Sequence, residues 1–137
     1  MTTTRYLVDT NVLLRFLTGE PAAQAAAARK LFARAAAGEV VLEISPVIVA
    51  EAFYTLNSYY GVDRKTTAEK LSFLLQQHGI KLRDETAVIE ALDRIRTVNV
   101  GFADAYLAAS AAEEKLSVAS FDRDFDKLSA SRYEPKA

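Results

Sequence analysis

Short apolar segments alternate along this chain with longer segments of helical periodicity, and this alternation limits the fold more than any other feature. A strand that is apolar at successive positions is typical of a parallel sheet covered on both faces, because a half-exposed strand alternates apolar and polar residues. The sequence therefore predicts an α/β fold with three layers, α/β/α, around a short central parallel sheet. The predicted strands cover residues 6–8, 40–44, 80–82 and 116–120.

Glycine and proline place the helices between these strands. Gly19 and Gly38 end the first two helical segments, while Pro21 and Pro46 are predicted in the first turns of the second and third helices. Helices are predicted over residues 12–17, 21–37, 46–59, 64–78, 88–95 and 103–115. Because no linker or repeat divides the chain, residues 1–137 are predicted to form one domain.

Composition excludes several classes of site. The chain has no cysteine and one histidine, His78, which excludes disulfides, thiolate zinc sites, cysteine nucleophiles and mechanisms that need two histidines. His78 is predicted to pack or cap at the end of the fourth helix rather than to bind a ligand. The net charge of −1 provides no overall basic field for nucleic acid. No membrane span or targeting signal is found in the sequence, so a cytoplasmic protein is expected.

Two aspartates come directly after predicted strands. Asp9 follows the first strand and Asp122 follows the last one. Sites in open parallel sheets form beyond the carboxyl ends of the strands, which favours a functional role for both residues. An aspartate at this position also caps the next helix, however, so position alone leaves both interpretations open.

Two further acids lie in apolar surroundings on predicted helices. Glu51 is in the third helix, where nearly every neighbouring side chain is apolar, and an unpaired charge buried there would be costly. Asp104 is the sole charge in the first half of the sixth helix, although acids in a first helical turn are common. Both residues therefore have a functional and a structural interpretation.

Together the four acids suggest one chemistry. Ionised carboxylates crowd together only when a cation compensates them or when their pKa values separate. An all-oxygen cluster without thiols selects a hard cation, Mg²⁺ or in its place Mn²⁺. Such a metal activates water and stabilises charge on phosphate oxygens, so these residues fit a metal-dependent phosphodiesterase.

The order of these motifs resembles that of the PIN domain. The resemblance covers the whole chain and rests on the segments at residues 8–11, 51, 102–106 and 120–125. In size the chain looks most like the toxins of VapBC-type toxin–antitoxin pairs. The resemblance implies a Mg²⁺-dependent endoribonuclease that forms a homodimer and is inhibited by a small antitoxin protein.

The resemblance also implies roles for individual residues. Asp9 and Asp104 match the principal metal ligands, and Glu51 and Asp122 complete the acidic quartet. Three residues match supporting positions: Asn11 orients the first acid, Ser120 retains a hydroxyl where threonine is usual, and Asp124 is the substitute for Asp122 as the fourth acid.

Partner surfaces are predicted from exposed apolar and basic residues. The third and fourth helices, with Tyr54, Tyr59 and Tyr60, are candidates for a dimer face and an antitoxin groove, although core packing also explains their spacing. Arg15 and Arg123 are candidates for contacts to RNA phosphates.

The same residues suggest three alternative functions. A phosphatase with Asp9 as nucleophile would need a second aspartate at the position of Asn11. A calcium loop beginning at Asp122 lacks the required glycine and glutamate, because Lys127 and Tyr133 occupy those positions. A non-toxin RNA-processing enzyme, or a PIN-like module that binds RNA or protein without cutting, remains open.

Overall fold

The sheet is built around its most buried strand. In the computed structural model, which describes residues 3–137, strand β1 (Thr4–Leu7) and strand β2 (Val40–Ile44) pair in parallel, and β2 also pairs in parallel with β3 (Ile80–Leu82). Alternate residues of β2, which share one face of the sheet, are at most 1% exposed because helices pack against that face. The predicted three-layer α/β/α fold with a parallel sheet is confirmed.

Helices occupy the connections between the strands. They are α1 (Thr10–Thr18), α2 (Ala22–Ala36), α3 (Pro46–Ser58), α4 (Arg64–Leu75), α5 (Glu85–Ile95) and α6 (Phe102–Glu114). Gly19 ends α1 in the left-handed conformation that glycine adopts at little cost. Pro46 begins α3 as predicted, whereas Pro21 precedes the first residue of α2.

The turn before β3 is packed against the end of α2. Gly79 has φ +87°, and a Cβ atom there would lie 2.3 Å from the carbonyl oxygen of Ala35. Helix α4 ends at Leu75, so the prediction that it continues to His78 is wrong. His78 is exposed in the turn instead, because the chain needs Gln76–Gly79 to reverse into β3.

The C-terminal segment departs from the prediction. The strand expected over residues 116–120 is only Val118–Ala119, β4, and it pairs in parallel with β5 (Arg132–Tyr133) rather than with the central sheet. A 3₁₀ helix, Arg123–Leu128, connects the two strands. This segment is anchored by Val118, Phe125 and Leu128, which are buried in the same apolar cluster as the sheet. Because β4 and β5 have two residues each, the ladder between them provides few hydrogen bonds to hold the segment.

None of the helices within residues 3–137 combines the length and apolar character that crossing a membrane requires.

Candidate active site

Asp9 lies at the junction of β1 and α1, as its position in the sequence predicted. Its Oδ1 accepts a hydrogen bond of 2.9 Å from the backbone N–H of Thr10, so the carboxylate caps α1. Val8 continues from β1 and donates its N–H to the carbonyl of Glu43 in β2. The buried sheet therefore fixes the backbone on which Asp9 is carried.

Glu51 is held near Asp9 by a side-chain hydrogen bond. The hydroxyl of Thr10 donates to Oε2 of Glu51 at 2.8 Å, across 41 residues of sequence. Thr10 is 8% exposed, whereas Glu51 is exposed on α3. Thr10 thus contacts both acids, the first through its N–H and the second through its hydroxyl. Thr10 was not among the site residues predicted from the sequence. The signal that could have indicated it is a hydroxyl residue between Asp9 and Asn11.

Asp104 lies near two other aspartates. It is in the first turn of α6, and the pKa of its carboxyl is raised, first by burial and then by the negative charges of Asp122 and Asp124. The positive charge of Arg64 opposes this rise. The structure thus brings Asp104, Asp122 and Asp124 into one electrostatic group.

The loop that carries Asp122 is organised by local hydrogen bonds. The N–H of Asp122 donates to the Ser120 hydroxyl, and Oδ1 of Asp122 accepts from the N–H of Asp124, each at 2.9 Å. Arg132 in β5 donates to the carbonyl of Ser120 at 3.1 Å and also binds Asp126 and Glu134. Ser120 and Arg132 therefore support the backbone of this acidic loop.

A cavity lies between α3 and the start of α6. We call it the α3–α6 cavity; its volume is about 470 Å³, and Glu51 and residues 101–103, immediately before Asp104, line it. Arg64 lines the same cavity at the start of α4. From the sequence, Arg64 was predicted only as the first residue of a helix, because an arginine in a first turn does not by itself indicate a functional role.

The remaining predicted residues lie at the edge of this arrangement. Asn11 and Arg15 line a separate cavity between α1 and α2, where Nε of Arg15 donates to Gln24 at 2.8 Å. Arg123 is exposed at the start of the 3₁₀ helix, next to Asp122. The hydrogen bond to Asp9 Oδ1 comes from Thr10 and not from Asn11.

The donor chemistry of the site fits a hard cation. Within residues 3–137, no group of three or more His, Cys, Asp or Glu side chains converges closely enough to hold one metal ion. Mg²⁺, however, commonly binds through one or two carboxylates and keeps several waters. The crowded carboxylates around Asp104 are the kind of group that such a cation stabilises.

Comparison with known proteins identifies one family. The family model described as PIN domain matches residues 6–130, which include Asp9, Glu51, Asp104 and Asp122. Comparison with individual curated proteins gives no match.

Proposed function

Because this chain belongs to the PIN domain family, whose members are typically nucleases, we propose that it is a Mg²⁺-dependent endoribonuclease. The proposed catalytic residues are Asp9, Glu51, Asp104 and Asp122, with Asp9 and Asp104 as metal ligands and Asn11, Ser120 and Asp124 in supporting roles. The observation that supports the proposal is the clustering of negative charge at the start of α6: Asp122 and Asp124 raise the pKa of Asp104, and Glu51 lines the cavity that residues 101–103 also line.

The proposed catalytic residues have different roles in hydrolysis. Asp9 and Asp104 are proposed to hold Mg²⁺, for which Mn²⁺ is a substitute. When bound, the cation supplies charge stabilisation at phosphate oxygens and lowers the pKa of water. Glu51 and Asp122 are proposed to orient the attacking water and accept its proton. The hydrogen bond that the Thr10 hydroxyl donates to Oε2 of Glu51 supports this role.

A cleavage assay tests this proposal. Purified protein is expected to cut a labelled single-stranded RNA with Mg²⁺ or Mn²⁺, and Asp104→Asn is expected to reduce the rate at least about 100-fold, since charge stabilisation at a reacting phosphate is lost. Asp93→Asn is the matched control: its side chain is 70% exposed on α5, and its one ion pair within residues 3–137 is with Arg96. Full activity in EDTA, or in Asp104→Asn, contradicts the proposal.

We further propose that the protein is the toxin of a toxin–antitoxin pair, acting as a cytoplasmic homodimer. The support is its size and its resemblance to VapBC-type toxins, together with the exposed Tyr59 at the end of α3, the helix proposed for partner contacts. Induced expression is expected to arrest growth for the wild type and not for Asp104→Asn, and an antitoxin reading frame beside the gene is expected to relieve the arrest. Monomers in light scattering at micromolar concentration contradict the dimer.

The aspartyl phosphatase remains the other enzyme class. It predicts an acid-stable phosphate on Asp9, which mass spectrometry detects after incubation with a phosphomonoester. Such a phosphate, with no cleavage of RNA, would replace the nuclease as the better proposal.

A further inference from the structure

We infer that the α3–α6 cavity holds one nucleobase beside the scissile phosphodiester of single-stranded RNA. This inference rests on the ribonuclease proposed above and adds the group that its substrate presents. The volume of the cavity, about 470 Å³, lies within the range of about 300–1,000 Å³ that is typical of small-ligand pockets.

Aromatic rings line one side of the cavity. Phe53 and Phe102, each 3% exposed, pack with ring centroids 6.2 Å apart, and Tyr106 stacks on the other side of Phe102 at 5.7 Å. The hydroxyl of Tyr106 is bound to the carboxylate of Asp84. These contacts fix the buried rings and therefore preform this side of the cavity.

Tyr54 differs from these buried rings. It lines the cavity but is 70% exposed, and within residues 3–137 no aromatic ring stacks on it. A base stacked on an exposed tyrosine gains contact area with little loss of side-chain freedom. Tyr54 is therefore the group in the cavity best placed to stack on a base.

Polar groups of the cavity suit the rest of a nucleotide. Arg64 lines the cavity and donates to the carbonyl and to Oδ1 of Asn99, each at 3.3 Å. The amide nitrogen of Asn57 donates to the Val62 carbonyl at 2.9 Å, and the described residues donate no hydrogen bond to its Oδ1. Arg64 is placed to contact a phosphate, and Asn57 presents an acceptor to the edge of a base.

Continuity with the acids favours RNA over a protein partner as the occupant. Glu51 lines the cavity while accepting a hydrogen bond from the hydroxyl of Thr10, whose backbone N–H donates to Asp9, so a base in the cavity places its phosphate toward the proposed catalytic residues. An arginine at this boundary complements a phosphate.

Binding and kinetics of Tyr54 variants test the inference. A fluorescein-labelled single-stranded RNA of mixed sequence is titrated into protein carrying Asp104→Asn, and KM is measured in the active enzyme. Tyr54→Ala is expected to weaken binding and raise KM by roughly 5- to 100-fold, the loss of one stacked base, while kcat changes less. Tyr54→Phe keeps the ring and is expected to bind like the parent. Tyr54→Leu keeps apolar volume without a ring and is expected to bind like Tyr54→Ala.

A matched control and a salt series complete the test. Tyr133→Ala removes another exposed tyrosine, 55% exposed on β5 outside the cavity, and is expected to change neither quantity. Arg64→Met is expected to reduce the slope of log affinity against log salt concentration by about 1, the value for one phosphate contact.

The outcomes separate this inference from the proposed function. If Asp104→Asn abolishes cleavage but Tyr54→Ala leaves the RNA dissociation constant and KM unchanged, the base site is wrong and the nuclease stands. If Tyr54→Ala instead weakens self-association in light scattering with RNA affinity intact, the cavity is part of a protein interface, which also overturns the inference. If Asp104→Asn still cleaves, the proposed function fails, whatever Tyr54 does.

Discussion

Carboxylates in two regions of the molecule have opposite surroundings. From β1 to the start of α4, the side chains of Asp9, Glu43, Glu51 and Asp63 all accept hydrogen bonds. Around α6 and the 3₁₀ helix, Asp104 is instead close to the charges of Asp122 and Asp124. Hydrogen bonds lower the pKa of Glu43 and Asp63, whereas burial and like charge raise that of Asp104.

The difference separates Glu43 and Asp63, whose ionised forms are stabilised by groups of the protein, from Asp104, whose ionised form is disfavoured by burial and like charge. Glu43 is 9% exposed, yet Arg5 at 2.6 Å and Lys81 at 3.8 Å neutralise it. Such an acid stabilises the chain in which it lies. Asp104 has Arg64 as its one opposing charge among the groups that shift its pKa, so its ionised form gains from an added cation.

The largest effect is expected where a donor is removed from the first region. Thr10→Val keeps the shape of a buried side chain but deletes the donor to Glu51, a hydrogen bond to a charged group. The free energy of unfolding is expected to fall by about 1–2 kcal/mol, toward the lower end for such bonds because Glu51 regains water. Urea unfolding measures the loss.

A double-mutant cycle shows whether that loss belongs to the Thr10–Glu51 contact. Thr10→Val, Glu51→Ala and the double variant are expected to give a coupling energy of about 1 kcal/mol. Thr10→Ser keeps the donor and is the matched control for activity, which it is expected to retain. A coupling energy near zero would mean that this hydrogen bond does not organise the first region.

A smaller effect, seen only in acid, is expected at Asp63. Its carboxylate caps α4 by accepting hydrogen bonds from the N–H and hydroxyl of Thr66, each at 2.8 Å, and these bonds lower its pKa. A lowered pKa contributes stability above the unfolded value of about 3.9, and that stability is lost as the pH falls through the folded pKa. The wild type is therefore expected to lose stability between about pH 5 and pH 2 in part through Asp63.

The conservative variant isolates this contribution. Asp63→Asn remains a good N-cap but does not titrate, so its deficit relative to wild type is expected to shrink as the pH falls from 7 to 3. Urea unfolding at both pH values measures the difference. Glu69→Gln, an exposed residue of the same helix, serves as the control. If the difference in free energy of unfolding between Asp63→Asn and the wild type is the same at pH 7 and pH 3, protonation of Asp63 does not contribute to the acid sensitivity of the fold.

Parts of the fold were predictable because their signals are local. The buried strand Val40–Ile44 is apolar at four of its five positions, and Gly19 and Pro46 mark helix boundaries by their own backbone preferences. Strand β4 was predicted too long and in the central sheet, because its partner, Arg132–Tyr133, has only two residues and shows no strand periodicity. Tertiary packing, rather than propensity, decides such short segments.

For the candidate site, the sequence predicted where acids stand relative to strands and helices but not which contacts they make. Asp9 and Asp122 follow strands in the structure as they do in the sequence pattern. The hydrogen bond from Thr10 to Glu51 joins residues 41 positions apart, so no local pattern reports it. The charge of Arg64 near Asp104 likewise depends on how α4 and α6 are placed in the fold.

The smallest effect, of opposite sign, is expected at Asp104. Because burial and the charges of Asp122 and Asp124 disfavour its ionised form, the stability linked to this carboxyl is present below its unfolded pKa and is lost as the pH rises through the raised folded pKa. Asp104→Asn removes that cost and is expected to stabilise the metal-free protein at pH 7 by about 0.5 kcal/mol, since the group is largely screened by solvent. Added Mg²⁺ is expected to raise the Tm of the wild type, because it binds the folded state, and to have little effect on Asp104→Asn. Thermal unfolding with and without Mg²⁺ measures both effects. If Asp104→Asn is instead less stable than the wild type, the Asp104 carboxylate stabilises the fold as Glu43 and Asp63 do. The contrast between the two regions would then rest on Asp122 and Asp124.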